Sequence, residues 1–148
     1  MKTQAIIGSE LKNILPQRFP FLFLDRIENY ELGKWATGSK NVSKREPMLL
    51  SESATEWPES FVVESLGQLA ISLLNLESPD CEPPKILLGG VSGVSFHAPF
   101  PMGCKIDLRI EVDKFIEGDS FIISGHADVE RERKLTMNSL VAKIIQSN

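Results

Sequence analysis

Residues 57 to 74 read WPESFVVESLGQLAISLL, apolar or small at nearly every position except Glu64 and Gln68. Val62, Val63, Leu66, Leu69, Ala70, Leu73 and Leu74 take up most of the circumference of a helix drawn on this segment, a pattern that belongs to a buried helix. Pro58 suits a first helical position, so the helix is expected to run from there to about Leu76, where SPDCEPP ends it. Beyond Lys85 the period changes. KILLGGVSGVSFHAPF, CKIDLRIEVDKFIEG, DSFIISGHADVERE and KLTMNSLVAKIIQ are rich in Val, Ile, Phe and Thr, with breaks at Gly103, at EGD and at the charged ERERK turn.

Upstream of the helix, GSELKNIL at residues 8 to 15 reads as a short amphipathic helix capped by Ser9 and stopped by Pro16. FLFLDRIENYELGKWATGSKNVS alternates on either side of Gly33, which predicts a hairpin, and KREPMLLSESATE reads as a loop. One long apolar helix among five to six strands packs most simply as an α+β fold, an antiparallel sheet curled around that helix. A chain of 148 residues is the size of one domain, 1–148, with no repeat in it.

Composition narrows the partners. The net charge of −4 argues against nucleic acid, whose phosphates call for a basic surface. No apolar run reaches the length of a membrane span and no leader pattern opens the chain, so a cytoplasmic protein with no membrane insertion is expected. Cys81 and Cys104 form no CxxC pair and no disulfide framework; two free thiols, no metal and no cofactor are the expectation.

On the central helix Glu64 and Gln68 lie one turn apart and share a stripe with Ser65, Ser72 and Asn75. Inside a buried helix that stripe must meet polar partners or a cavity. A carboxylate placed there is either satisfied by a backbone amide, Gln68 or an arginine, or is a candidate acid or base. Gly67 lowers helix propensity by about 1 kcal/mol relative to alanine, which close packing against a strand or another subunit would offset.

LPQRFPFLFLDRIENYELGKWATGSKNVSKREP, residues 15 to 47, resembles the hotdog-fold 3-hydroxyacyl-(acyl carrier protein) dehydratases of bacterial type II fatty acid synthesis. Their block reads LPHR, Tyr or Phe, then PFLLVDR, a glycine, KNVS and EP; here Gln17 stands at the histidine. WPESFVVESLGQLA is similar to the family's FPGVLILEAMAQ, and SFHAPFPMGCKIDLRIEV loosely resembles its later strand motif, with Gly103 matching and Cys104 standing where Asp is usual. The resemblance implies a hotdog fold in which a long helix is wrapped by an antiparallel sheet of five to six strands. It also implies a homodimer or heterodimer with a related subunit, some members forming hexamers, and an acyl thioester on acyl carrier protein or coenzyme A as substrate. Glu64 then matches the catalytic carboxylate and Gln68 the amide one turn later, with Glu59 and Ser60 at the helix start, where a backbone N–H polarises the thioester carbonyl.

The chain departs from that pattern at the decisive place. Family members carry a base histidine in a GHFPG loop before the helix, whereas this loop reads MLLSESATE; the only histidines, His97 and His126, lie in later strands, and Glu59 replaces a glycine. General acid and base groups are each worth roughly 10²–10⁴ in rate, so the carboxylate alone makes a poor dehydratase. Three functions stay open: a weak dehydratase or the non-catalytic partner of an active subunit, a thioesterase using Glu64, and a non-enzymatic acyl-binding scaffold. Glu52 and Ser53 lie near the vacated position, Trp57 packs at the helix start or closes a tunnel, and Arg18, Lys34, Lys44 and Arg45 are candidates for a basic rim facing an acidic carrier.

Overall fold

The computed structural model describes residues 4–46, 53–77, 85–116 and 118–145. Residues 47–52 of the proposed loop, Glu52 among them, and the SPDCEPP segment with Cys81 as far as residue 84 therefore lie outside the described residues. In chain order the elements are β1 (Ile6–Ile7), α1 (Ser9–Ile14), β2 (Arg26–Glu31), β3 (Trp35–Asn41), β4 (Glu56–Trp57), α2 (Glu59–Asn75), β5 (Lys85–Phe96), β6 (Phe100–Pro101), β7 (Lys105–Ile116), β8 (Ser120–Val129) and β9 (Glu132–Ile145).

Seven strands form one antiparallel sheet in the order β1-β2-β3-β7-β8-β9-β5, and β4 pairs with β6 apart from it. The sheet exceeds the expected five to six strands because the two-residue β1 adds to its edge through Ile6 opposite Ile27. Helix α2 packs across the inner face of this sheet against β3, β7, β8, β9 and β5. Every residue from Ser65 to Asn75 is buried, which is why the sequence there is apolar all round. Fully burying a side chain such as Leu66, Leu69 or Leu73 contributes about 1.5–3 kcal/mol, so α2 anchors the core.

Glycines let the helix and sheet approach. A Cβ on Gly38 of β3 would fall 2.6 Å from the Arg26 carbonyl and 3.2 Å from Leu69, and one on Gly125 of β8 would fall 2.7 Å from the Arg109 carbonyl. Gly67 itself faces Leu88 of β5, whose Cδ1 would lie 2.7 Å from an added Cβ, so close packing against a strand accounts for it.

Local geometry corrects some sequence expectations. Helix α1 begins at Ser9 with Gly8 (φ 58°) at its N-cap and no side-chain cap, so Ser9 does not cap it. Pro58 sits one position before the first residue of α2, as N-cap. Gly33 (φ 73°) does turn the β2–β3 hairpin. The β8–β9 turn is made by Glu130 (φ 51°) and Arg131 (φ 67°), two consecutive left-handed residues as a tight hairpin requires, although neither is the glycine or asparagine that usually signals one.

Candidate active site

The polar stripe on α2 divides into groups that hold the fold and one that does not. Gln68 is fully buried: its Nε2 donates to the Phe21 carbonyl (2.8 Å) and to Glu64 Oε1 (3.1 Å), and its Oε1 accepts from the Phe23 N–H (2.8 Å). Ser65 and Ser72 donate back to the Phe61 and Gln68 carbonyls one turn earlier. Asn75 Nδ2 donates to the Ile14 carbonyl at 2.6 Å. The segment from Ile14 to Phe23 is thus laced to the helix at both ends. Glu64 is part-exposed, and its one hydrogen bond among the described residues is the one from Gln68.

Beneath that segment lies a cavity of about 520 Å³, lined by residues 12, 13 and 15–18, by Ile71 and Asn75 of α2 and by residues 85–87 of β5. Ile71 and Asn75 continue the Glu64–Gln68 stripe down the helix. Arg18 fixes the cavity's outer lip, its guanidinium donating to the Lys12, Leu15 and Gln17 carbonyls and so closing the C-terminal end of α1. Of the four basic residues singled out in the sequence, Arg18 alone lines this cavity, in the company of Lys12 and Lys85; Lys34 instead pairs with Glu31 at 2.6 Å.

Trp57 is packing. It is buried at the start of α2, edge-on to Phe23 and Phe61 with ring centroids 5.9 and 5.1 Å away. Lys40, which its sequence context did not single out, lies almost buried 5.8 Å from the Trp57 ring and pairs with Glu46 (2.9 Å) and Asp25 (3.6 Å). Asp25 also accepts from the Asn41 N–H. Much of the motif from Leu15 to Glu46 therefore braces the region around the helix. Glu59 and Ser60 are exposed at the helix start, where no side chain caps the free N–H groups.

Neither histidine approaches the stripe. Gly125 and Ala127 face α2, so His126 between them points from the opposite face of the sheet, among Arg109, Glu111, Arg133 and Thr136. Burial, reinforced by Arg133, pushes its pKa down, and its Nδ1 lies 3.6 Å from Asp128 Oδ2 without a hydrogen bond. His97 is on that outer face too, 3.3 Å from Thr136 Oγ1. Cys104 is an unpaired thiol whose pKa burial raises, which suits packing rather than nucleophilic attack. Ser53 is exposed in the loop before β4. Among the described residues no group of His, Cys, Asp and Glu side chains is arranged to hold a metal ion, and no helix is long and apolar enough to cross a membrane.

A single long helix clasped by one antiparallel sheet, with a carboxylate in the helix's second turn and a cavity further along the same stripe, defines a hotdog-fold protein. Solved structures agree in fold. The dehydratase heterocomplex ApeI:P from Xenorhabdus doucetiae superposes with a TM-score of 0.79 at 17% identity, over 93% of this chain and 91% of that one. The Escherichia coli PaaI protein from the phenylacetic acid degradation operon does so with a TM-score of 0.63 at 10% identity, over 82% and 80%. No protein-family model matches the chain. Individual relatives are closer: it is 33% identical over 138 residues to the 3-hydroxyacyl-(acyl-carrier-protein) dehydratase FabZ of Histophilus somni, covering 89% of this chain and 91% of that one. Against the enzyme of that name from Clostridium novyi it is 31% identical over 136 residues, covering 90% and 94%. The chain belongs to the FabZ dehydratase family.

Proposed function

We propose that this chain binds an acyl thioester, carried on acyl carrier protein or coenzyme A, with its acyl group along α2, and that it supplies the acid half of a shared dehydratase site. The observation that carries this reading is the split between Glu64, part-exposed on the inner stripe, and both histidines, which lie on the outer face of the sheet. Removal of water from a 3-hydroxyacyl thioester takes a base for the C2 proton and an acid for the C3 hydroxyl. Glu64 is the acid in this reading; the uncapped N–H groups at Glu59 and Ser60 polarise the thioester carbonyl, and Gln68 holds the Glu64 carboxylate in place. The base comes from a second, histidine-bearing hotdog subunit.

The sheet's open edge supports such pairing. Strand β5 runs twelve residues with no strand on its outer side among the described residues, and Leu87, Val91, Val94 and Phe96 are exposed along it. Union through β5 with a like or a related subunit gives the dimer, and one solved structure of the same fold is a dehydratase heterocomplex. Elimination of water calls for no cofactor, and in this reading the protein works in the cytoplasm.

The test is dehydration of a 3-hydroxyacyl thioester by the purified chain, alone and mixed with a histidine-bearing subunit of the family. Turnover is expected with the mixture, above that of the added subunit by itself, and Glu64→Gln should lower the gain roughly 10²-fold or more. Equal turnover with Glu64→Gln sinks the assignment. The part-exposed Glu64 with a single hydrogen bond also suits a thioesterase, whose mark is Glu64-dependent release of free thiol by the chain alone from saturated acyl thioesters.

A further inference from the structure

The cavity beneath the 14–23 segment joins an apolar interior to a positively charged rim. Its two most buried lining residues are Leu15 and Ile71, 2% and 4% exposed, whereas Lys12, Arg18 and Lys85 line it as exposed residues. A molecule inside therefore meets hydrocarbon at depth and cations at the mouth. No Asp or Glu stands among the described residues of the wall, and none of the three cations makes an ion pair among the described residues. Lys34, Lys40, Arg109 and Arg133, by contrast, each pair with a carboxylate elsewhere on the chain. In a chain with 20 acidic and 16 basic residues, three uncompensated cations around one opening are not what composition alone would produce. Arg18 is also fixed in place: its Nη1 donates to the Leu15 and Gln17 carbonyls and its Nη2 to the Lys12 carbonyl. Those bonds use three of the five guanidinium N–H groups and leave the Nε–H and one Nη2–H, the pair that a carboxylate engages side by side.

We propose that this cavity is a second ligand site, apart from Glu64, for an unesterified alkyl carboxylate of the medium-chain fatty acid class. The chain packs on Leu15, Pro16, Ile71 and Ile86, and the carboxylate meets Arg18, with Lys12 and Lys85 adding positive charge. Glu64 does not line the cavity, so the site goes beyond the dehydratase reading and does not depend on it. The volume of about 520 Å³ falls within the roughly 300–1,000 Å³ of small-molecule sites. Both halves of the ligand are required by the wall. A small inorganic anion would leave the hydrocarbon surface wet, and an alcohol would leave the cations uncompensated. A thioester carbonyl is likewise uncharged, so the site favours the free acid over its pantetheine thioester. An alkyl ammonium would fit the apolar part and be repelled at the rim.

The experiment measures binding of decanoate, decanol, decylamine, acetate and 4′-phosphopantetheine to the full chain by calorimetry, with decanoate kept below its micelle concentration. Decanoate should bind roughly tenfold or more tightly than decanol, the size of a few part-exposed charge contacts, and decylamine should be weaker still. Acetate, which lacks the chain, should bind at least about a hundredfold more weakly than decanoate. Lys12→Gln and Lys85→Gln should each shrink the preference for decanoate over decanol severalfold while decanol binds as before. Arg18→Gln should shrink it further, but it also releases the carbonyls at the end of α1, so the two exposed lysines carry the test should that variant fail to fold. Equal binding of decanoate and decanol overturns the proposal, as does a preference unchanged when both lysines are replaced, or no binding of decanoate at all. Tighter binding of 4′-phosphopantetheine than of decanoate would assign the cations to a carrier arm and overturn it too. The Glu64 assignment stands or falls separately, on dehydration turnover.

Discussion

Glu64 and Gln68 occupy the same face of α2 one turn apart, but the amide has its hydrogen-bonding groups committed to the fold, whereas the carboxylate holds a single bond from that amide. Gln68 is fully buried and bridges residues 45 and 47 positions away in sequence, which makes it a rivet between the helix and the 21–23 segment. Glu64 is part-exposed and, among the described residues, makes no other hydrogen bond. Two polar residues that look alike in a one-letter string thus divide into a structural role and a free chemical group. What separates them is which one the 14–23 segment crosses.

Replacing each residue in turn tests that division most sharply. Gln68→Leu strands the buried Phe23 N–H and Phe21 carbonyl, so it should cost about 2–4 kcal/mol, read as a lower denaturant midpoint. Gly125→Ala attacks the same helix from below, since its Cβ must displace the Arg109 carbonyl and crowd Leu66; a loss of about 1–3 kcal/mol is expected in the same assay. Glu64→Gln should change stability by no more than about 0.5 kcal/mol, as surface substitutions do, while removing the dehydratase contribution. A Glu64→Gln loss as large as that of Gln68→Leu would erase the distinction.

The smallest effect falls on the outer face of the sheet. His126 has its pKa lowered in the fold by burial, so the unfolded chain takes up a proton first as pH falls through the ordinary histidine range near 6.5. Its contribution to stability is therefore complete above that range and declines on acidification. In His126→Gln the melting temperature should vary less between pH 7.5 and pH 5 than in the wild type, by a small margin because the ring is half-exposed. Dehydratase activity with the added subunit should be unaffected, and a loss of turnover would tie the outer face to the site on α2.

Much of the architecture was legible in the pattern of residues. The helix from Glu59 to Asn75 follows from its unbroken apolar character, and the β2–β3 hairpin from the alternation around Gly33. Glu64 and Gln68 were found because a carboxylate and an amide are conspicuous in a buried helix. Less was visible where the cause is long-range. Lys40 reads as an ordinary strand lysine, and only the approach of Glu46, Asp25 and Trp57 buries it. The β8–β9 turn was placed by its charge, while its left-handed geometry at Glu130 and Arg131 is imposed by the pairing of two long strands.

By itself the sequence determined the fold class, the family and the absence of a histidine from the loop before the helix, because these depend on periodicity, on local motif and on residue identity. Tertiary structure decided that Gln68 is a tether, that both histidines lie across the sheet from Glu64, and that Gln17 and Asn75 line one cavity. Those relations join residues tens of positions apart, and a side chain's role there is set by what the folded chain brings against it rather than by its neighbours in sequence.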